Sequence, residues 1–170
     1  MTSASAPAIP VPGRSCEGCA MCCKLGEILQ VGKADGEWCR HCTTRTACDI
    51  YDTRPEVCRS YYCVYMLTDL SDDWRPTKCK FMISALPDGA LVITVDKSRP
   101  DGWKNAPYIG LIREWAQTRR IVVLIGLRAL AIYPDHIEEL GMIGNGYGLG
   151  TIPDPTGRPI PRTIRVDTRT

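Results

Sequence analysis

Cys16, Cys19, Cys22, Cys23, Cys39, Cys42, Cys48, Cys58 and Cys63 crowd into one stretch of the chain, and of the ten cysteines only Cys79 stands outside it. Thiols at that density serve as disulfides, as metal ligands or as a redox relay. Cys16-x2-Cys19-x2-Cys22 sets three sulfurs at three-residue steps, so a turning backbone can point them at one centre; the same run, completed by a distant fourth cysteine, holds iron and sulfide in iron–sulfur sites. Cys39-x2-Cys42 has the knuckle spacing of zinc sites, and Cys48 and Cys58 can close a tetrahedron with it. Thiolates are soft ligands that suit zinc and iron alike, so spacing does not choose between them. The adjacent pair Cys22-Cys23 is unusual. Neighbouring side chains diverge, so the two sulfurs serve different centres or one of them bridges two metals. Nine thiols exceed two closed four-sulfur sites by one.

The N-terminal residues MTSASAPAIPVPGRS have neither a charged start nor an apolar core, so they do not read as a secretory signal. The longest aliphatic run, Ile121 to Ile125, is too short for a bilayer. The expectation is a cytoplasmic protein with no membrane partner. Thiols stay reduced there, which favours metal ligation over a disulfide framework. The formal charge is +2. Each zinc held by four thiolates carries two net negative charges, so two such sites would bring the total to about −2. A basic nucleic-acid footprint is therefore absent, and the four tryptophans read as packing residues rather than a stacking platform.

Other reactive side chains add little. His41, inside Cys39-Arg40-His41-Cys42, is either a further ligand or a hydrogen-bonded side chain. His136 reads as structural, Cys79 as a buried or free thiol, and Asp135 with Glu138 as charges at a helix start. No nucleophile elbow or Ser/His/Asp set is visible, so a non-enzymatic role is expected.

The elements that must position these thiols divide by composition. Residues 1–15, rich in Pro, Ala and Ser, read as a disordered lead-in. Residues 16–79 form the cysteine module, poor in aliphatic runs and balanced in charge. Such a segment buries little apolar surface, so metal ligation is expected to hold it; structural zinc supplies roughly 10–16 kcal/mol in small peptides. Residues 80–140 read as a small α+β core. Phe81–Leu86 and Ala90–Val95 flank Pro87-Asp88-Gly89 as a hairpin. Asn105–Arg119 has helical periodicity through Tyr108, Ile112, Trp115 and Arg119. Arg120–Ile125 and Arg128–Tyr133 flank Gly126-Leu127, a type II′ turn with Gly first. A short helix is expected at Asp135–Leu140. The fold class is thus α+β: an N-terminal metal-stapled cysteine-rich module followed by a small antiparallel ββαββ sheet with one packed helix. Its expected core is Phe81, Ile83, Leu91, Ile93, Ile112, Trp115, Val122, Leu124 and Ile132. Residues 141–170 read as a Gly/Pro-rich loop and tail, without the spacing of a dinucleotide fingerprint.

Cys16-Glu17-Gly18-Cys19-Ala20-Met21-Cys22-Cys23 resembles the CxxCxxCC signature of the zinc- or iron-chelating family of YkgJ-like cysteine-cluster proteins. The downstream residues resemble it too: Trp38-Cys39-Arg40-His41-Cys42, then Cys48-Asp49-Ile50-Tyr51-Asp52-Thr53-Arg54-Pro55-Glu56-Val57-Cys58-Arg59, then Tyr62-Cys63. The likeness covers residues 16–65. It implies metal chelation by the cysteines without supplying a reaction. A related cysteine pattern occurs in a flagellin lysine methylase, which keeps an iron–sulfur redox or catalytic role as the alternative. Cys79 lies outside the pattern. Within it, Pro55 is expected to hold Arg54 extended on the approach to Cys58. Arg54 and Arg59 are expected to offset thiolate charge, and Ile50 and Tyr51 to cover the site.

Overall fold

The computed structural model describes residues 9–142. The chain divides into two compact units, Met1–Ser84 and Ala85–Thr170. The fold is α+β with a five-stranded mixed sheet and few helices.

In the first unit the cysteines sit on turns rather than on long regular elements. A 3-10 turn spans Met21–Cys23, and others span Leu29–Val31, Tyr51–Thr53 and Asp72–Trp74. Three single-turn helices follow: α1 (Glu56–Arg59), α2 (Val64–Leu67) and α3 (Pro76–Cys79). The segment buries more apolar surface than its composition suggests. Met21 and Leu25 pack with Met82, and Trp74 meets the Phe81 ring edge-on at 6.0 Å. Val64, Tyr65 and Met66 of α2 are buried as well. Met21, Leu25 and Trp74 stand singly in the sequence while Val64, Tyr65 and Met66 are contiguous, and the turns gather them. Part of the expected lead-in is tied down here. The Val11 amide donates to the Met66 carbonyl at 2.9 Å, and the Arg14 guanidinium lies 4.0 Å over the Tyr65 ring while bonding the Thr68 and Leu70 carbonyls.

The sheet runs in the order β1-β2-β3-β4-β5. The strands are β1 (Phe81–Ala85), β2 (Leu91–Val95), β3 (Ile121–Ile125), β4 (Arg128–Ile132) and β5 (Ile137–Met142). Both expected hairpin sequences form strands near the expected limits. Two corrections follow from the topology. First, β2 and β3 run parallel, with Leu91 beside Ile121 and Ile93 beside Val123, so the sheet is mixed and not antiparallel. The connection between them carries a 3-10 turn, Gly102–Lys104, and helix α4 (Tyr108–Trp115). A crossover of that length returns the chain to its starting end, which makes the strands parallel. Second, the expected helix at Asp135–Leu140 is instead β5, antiparallel to β4, with Ile132 facing Ile137 and Ala131 facing Glu138. The Tyr133 amide bonds the His136 carbonyl at 3.0 Å and turns the chain back, so cross-strand pairing outweighs the local helical preference of Glu138, Glu139 and Leu140.

α4 is shorter than its periodicity suggested. Pro107 stands at its N-cap, and beyond Trp115 the chain tightens into turns, with Gln117 bonding Glu114 and Thr118 bonding Trp115. Strand alternation sorts the second unit's core. Leu91, Ile93, Val95, Ile121, Val123, Leu130 and Ile132 are buried at register positions that share one face. Val122, Ala129 and Ala131 form a smaller cluster on the other, covered by Leu124, Tyr133 and Leu140. Seven of the nine expected core residues are buried; Trp115 and Leu124 are half-buried. Gly126 takes φ +60 at the β3–β4 turn, as a leading glycine of a type II′ turn must, and a Cβ there would sit 2.7 Å from the Lys97 side chain. Among the described residues no helix is long and apolar enough to cross a membrane. The alternating glycines from Gly144 onward and the rest of the tail lie outside the described residues.

Candidate metal centre

All ten cysteines are free thiols, so the segment is held without disulfides. The backbone brings the separate cysteine motifs together through a short series of hydrogen bonds. The Cys19 amide donates to the Cys16 carbonyl at 2.9 Å, closing the first turn, and the Cys23 amide to Ala20 at 2.9 Å closes the next. The Cys39 amide then donates to the Cys23 carbonyl at 2.7 Å, which docks the second knuckle on the first. The Cys42 amide returns to Cys39 at 3.0 Å. Asp49 closes the following loop: its amide donates to the His41 carbonyl at 2.8 Å, and its carboxylate accepts from the Thr43 amide at 3.1 Å. Cys48 is thereby folded back beside Cys42. Arg54 and Pro55 are both extended, with ψ of 151 and 155, as the Pro-directed approach to Cys58 requires. Cys63 occupies the N-cap of α2, its carbonyl accepting from the Met66 amide at 2.9 Å.

The packing around the thiols falls into two groups. Cys39 and Cys42 are buried with Ala20 and Val31, and Cys23, Ile28 and Trp38 pack against them. Cys19, Cys22 and Cys63 pack, with Tyr61, against Met21, Leu25 and Met82. The turn Met21–Cys23 is the seam: Cys22 belongs to one group and Cys23 to the other.

Electrostatics ties the sulfurs together. The Cys23 thiol donates to the Cys22 sulfur, which lowers the Cys22 pKa and drives that of Cys23 well up. Burial raises Cys16, and the nearby Cys22 adds to it, while a hydrogen bond from Tyr51 and the Arg54 charge oppose it. Burial also raises Cys42 and Cys58; Cys58 is pushed further by Cys22, Cys48 and Cys39. Cys63 is pushed up to about 11, first by burial and then by Cys19, Cys16 and Cys22. Several thiols are thus held neutral while they are crowded and desolvated, the condition that a bound cation relieves.

Two cations serve the cluster. Lys33 is only 4% exposed. Its ammonium is held by the carbonyls of Lys24, Gly26 and Ala34, with Asp35, Cys39, Cys23 and Cys22 acting on it electrostatically. Sequence reasoning missed this residue, because a lysine in a polar loop carries no signal of burial. Arg54 stacks 3.7 Å over the Tyr51 ring, and its Nε is buried without a hydrogen-bond partner. A buried N–H beside Cys16 and Cys22 suits an anionic sulfur site. Arg59 departs from expectation. It is exposed and paired with Glu56 at 2.8 Å, away from any thiolate role. Tyr51 reaches Cys16, as expected of a covering residue, though its ring is 44% exposed.

The remaining candidates are placed as follows. Nε2 of His41 accepts from Arg40 Nε at 3.2 Å, so that side chain is hydrogen-bonded. His136 stacks on Tyr133 at 4.4 Å and bonds Asp135 at 2.7 Å. Cys79 is buried, and its Sγ donates toward the Phe81 carbonyl at 3.2 Å; burial pushes it up to about 12. Among the described residues no group of three or more His, Cys, Asp or Glu is gathered tightly enough to hold a metal ion. The thiols are neighbours in two packed groups rather than a finished coordination sphere. The donor set itself, with a desolvated arginine N–H and a buried lysine at hand, fits a thiolate-bound zinc or iron. Comparison with family models, curated proteins and solved structures finds no match for this chain, so the cysteine spacing and its packing carry the functional reading.

Proposed function

We propose that residues 16–63 are a metal-chelating module that binds zinc or iron through the thiolates of Cys16, Cys19, Cys22, Cys23, Cys39, Cys42, Cys48, Cys58 and Cys63. The module acts as a structural and binding element or as a metal carrier in the cytoplasm, with the metal ion as its first partner and a protein as a second. The observation that supports this reading is that Cys23, Cys39 and Cys42 pack in one group and Cys19, Cys22 and Cys63 in another, all of them free thiols, with the buried Lys33 and the unpartnered Nε of Arg54 in the same unit. The unpartnered Nε of Arg54, near Cys16 and Cys22, suits a thiolate, because a protonated thiol has no charge to offset. Bound zinc would supply closed, redox-silent cross-links.

An iron–sulfur centre with a redox or catalytic role is the second reading, favoured by the Cys16-x2-Cys19-x2-Cys22 run. One experiment separates them: metal and acid-labile sulfide analysis of protein purified without oxygen. Colourless protein with stoichiometric zinc supports the first reading. Brown protein with visible absorption and labile sulfide supports the second. Protein that purifies without metal and takes up neither ion on reconstitution overturns both.

A further inference from the structure

The thiols outnumber a single tetrahedral site, and the fold separates them. Cys19, Cys22 and Cys63 share one packed group, and Cys16 is joined to Cys19 by the first turn. Cys23, Cys39 and Cys42 share the other, and Cys48 is folded back onto it by the Asp49–His41 hydrogen bond. Resting on the metal-binding reading above, we propose that the chain builds two four-sulfur centres that meet at the Cys22–Cys23 peptide. One uses Cys16, Cys19, Cys22 and Cys63; the other uses Cys23, Cys39, Cys42 and Cys48; Cys58, the ninth thiolate, packs in neither group and can replace a ligand of either.

The surroundings of the two groups agree with that division. The apolar shells differ, Met21, Leu25 and Met82 on one side and Ala20 and Val31 on the other. The 3-10 turn Met21–Cys23 carries Cys22 in one group and Cys23 in the other. A tetrahedral thiolate site is complete at four ligands, so the ninth sulfur is free to exchange into either.

The test uses the full chain, reduced and loaded with zinc alone, then with cadmium-113 as a spectroscopic substitute. Wild-type protein is expected to hold two ions per chain and to show two cadmium resonances without cadmium–cadmium coupling. Cys63→Ser and Cys39→Ser are each expected to lose one ion and a different resonance, and Cys79→Ser, outside the cysteine cluster, to keep both. If either serine variant is insoluble, Cys63→His and Cys39→His retain a ligand atom, and each should shift only its own resonance. Loss of both ions from one substitution, a shift of both resonances together, or scalar coupling through a shared sulfur would overturn the division while leaving metal binding intact. A wild-type chain that binds neither zinc nor cadmium would instead overturn the reading on which the division rests.

Discussion

The two units of this chain solve the same problem with different materials. Residues 85–142 are organised by side chains that alternate along strands. Ile93, Ile112, Ile121 and Val123 are fully buried, and the backbone polar groups pair across the sheet. The unit before them has helices of a single turn, ten thiols and a lysine buried among carbonyls. Its apolar clusters are small and come with sulfur at their edges. An oily core stabilises in proportion to area and needs no particular ligand, whereas a sulfur core stays poorly compensated until a cation joins it. The contrast predicts that the two units respond to different perturbations.

The largest effect should come from metal removal. On the proposed metal-binding reading, exhaustive chelation under reducing conditions is expected to abolish amide-exchange protection across residues 16–63 and to leave β2, β3 and β4 protected, since a structural zinc site is worth roughly 10–16 kcal/mol in small peptides. Equal protection before and after chelation would erase the distinction. Next, Ile93→Ala should cost about 2–5 kcal/mol in a denaturant titration, because that side chain is 0% exposed, while the zinc content of the folded protein stays at the wild-type value. A simultaneous loss of metal would show that the units are not separable in this way.

Lys33→Met sharpens the comparison from the other side. It strips the carbonyls of Lys24, Gly26 and Ala34 of their donor and should cost about 1–3 kcal/mol, with faster metal release to a competing chelator. Wild-type release kinetics in that variant would remove lysine from the site. Alkaline pH gives a smaller effect. The neutral Cys79 thiol has an ordinary value of 9.0 and a folded value of about 12, so its contribution is complete below pH 9 and is lost as pH rises from there toward 12. In metal-free protein the melting temperature should fall over that window, and Cys79→Ala should flatten the fall. An unchanged slope in the variant would assign the alkaline loss elsewhere. Arg128→Ala should have the least effect: Arg128 meets Glu139 at 2.7 Å in solvent, and such pairs contribute little. A clear drop in the denaturation midpoint would mean that the β4–β5 edge matters more than its exposure suggests.

Legibility differed between the units for a physical reason. The strands β1 to β4 could be read because their apolar residues are contiguous, and Gly126 marked its turn because only a residue without a Cβ takes that backbone cheaply. The helix centre was legible through Ile112, which is fully buried, but its ends were not, since Pro107 and the turns after Trp115 shorten it. β5 was misread because Ile137–Met142 has helix-forming glutamates whose fate depends on β4 lying alongside. Of the site, the nine thiols and Arg54 were visible as residue types at a spacing. Lys33 was not, and Arg59 was given a role that its pairing with Glu56 denies it.

The sequence alone determined the chemistry on offer: how many sulfurs there are, that Cys22 and Cys23 are adjacent, and that Pro55 keeps the approach to Cys58 extended. These are covalent or local properties and need no partner. Only the tertiary structure decided which sulfurs are neighbours, which cation is buried beside them, and whether β2 and β3 run parallel. Each of those depends on groups far apart in the chain meeting in space, and residue spacing along one strand of sequence carries no record of such meetings.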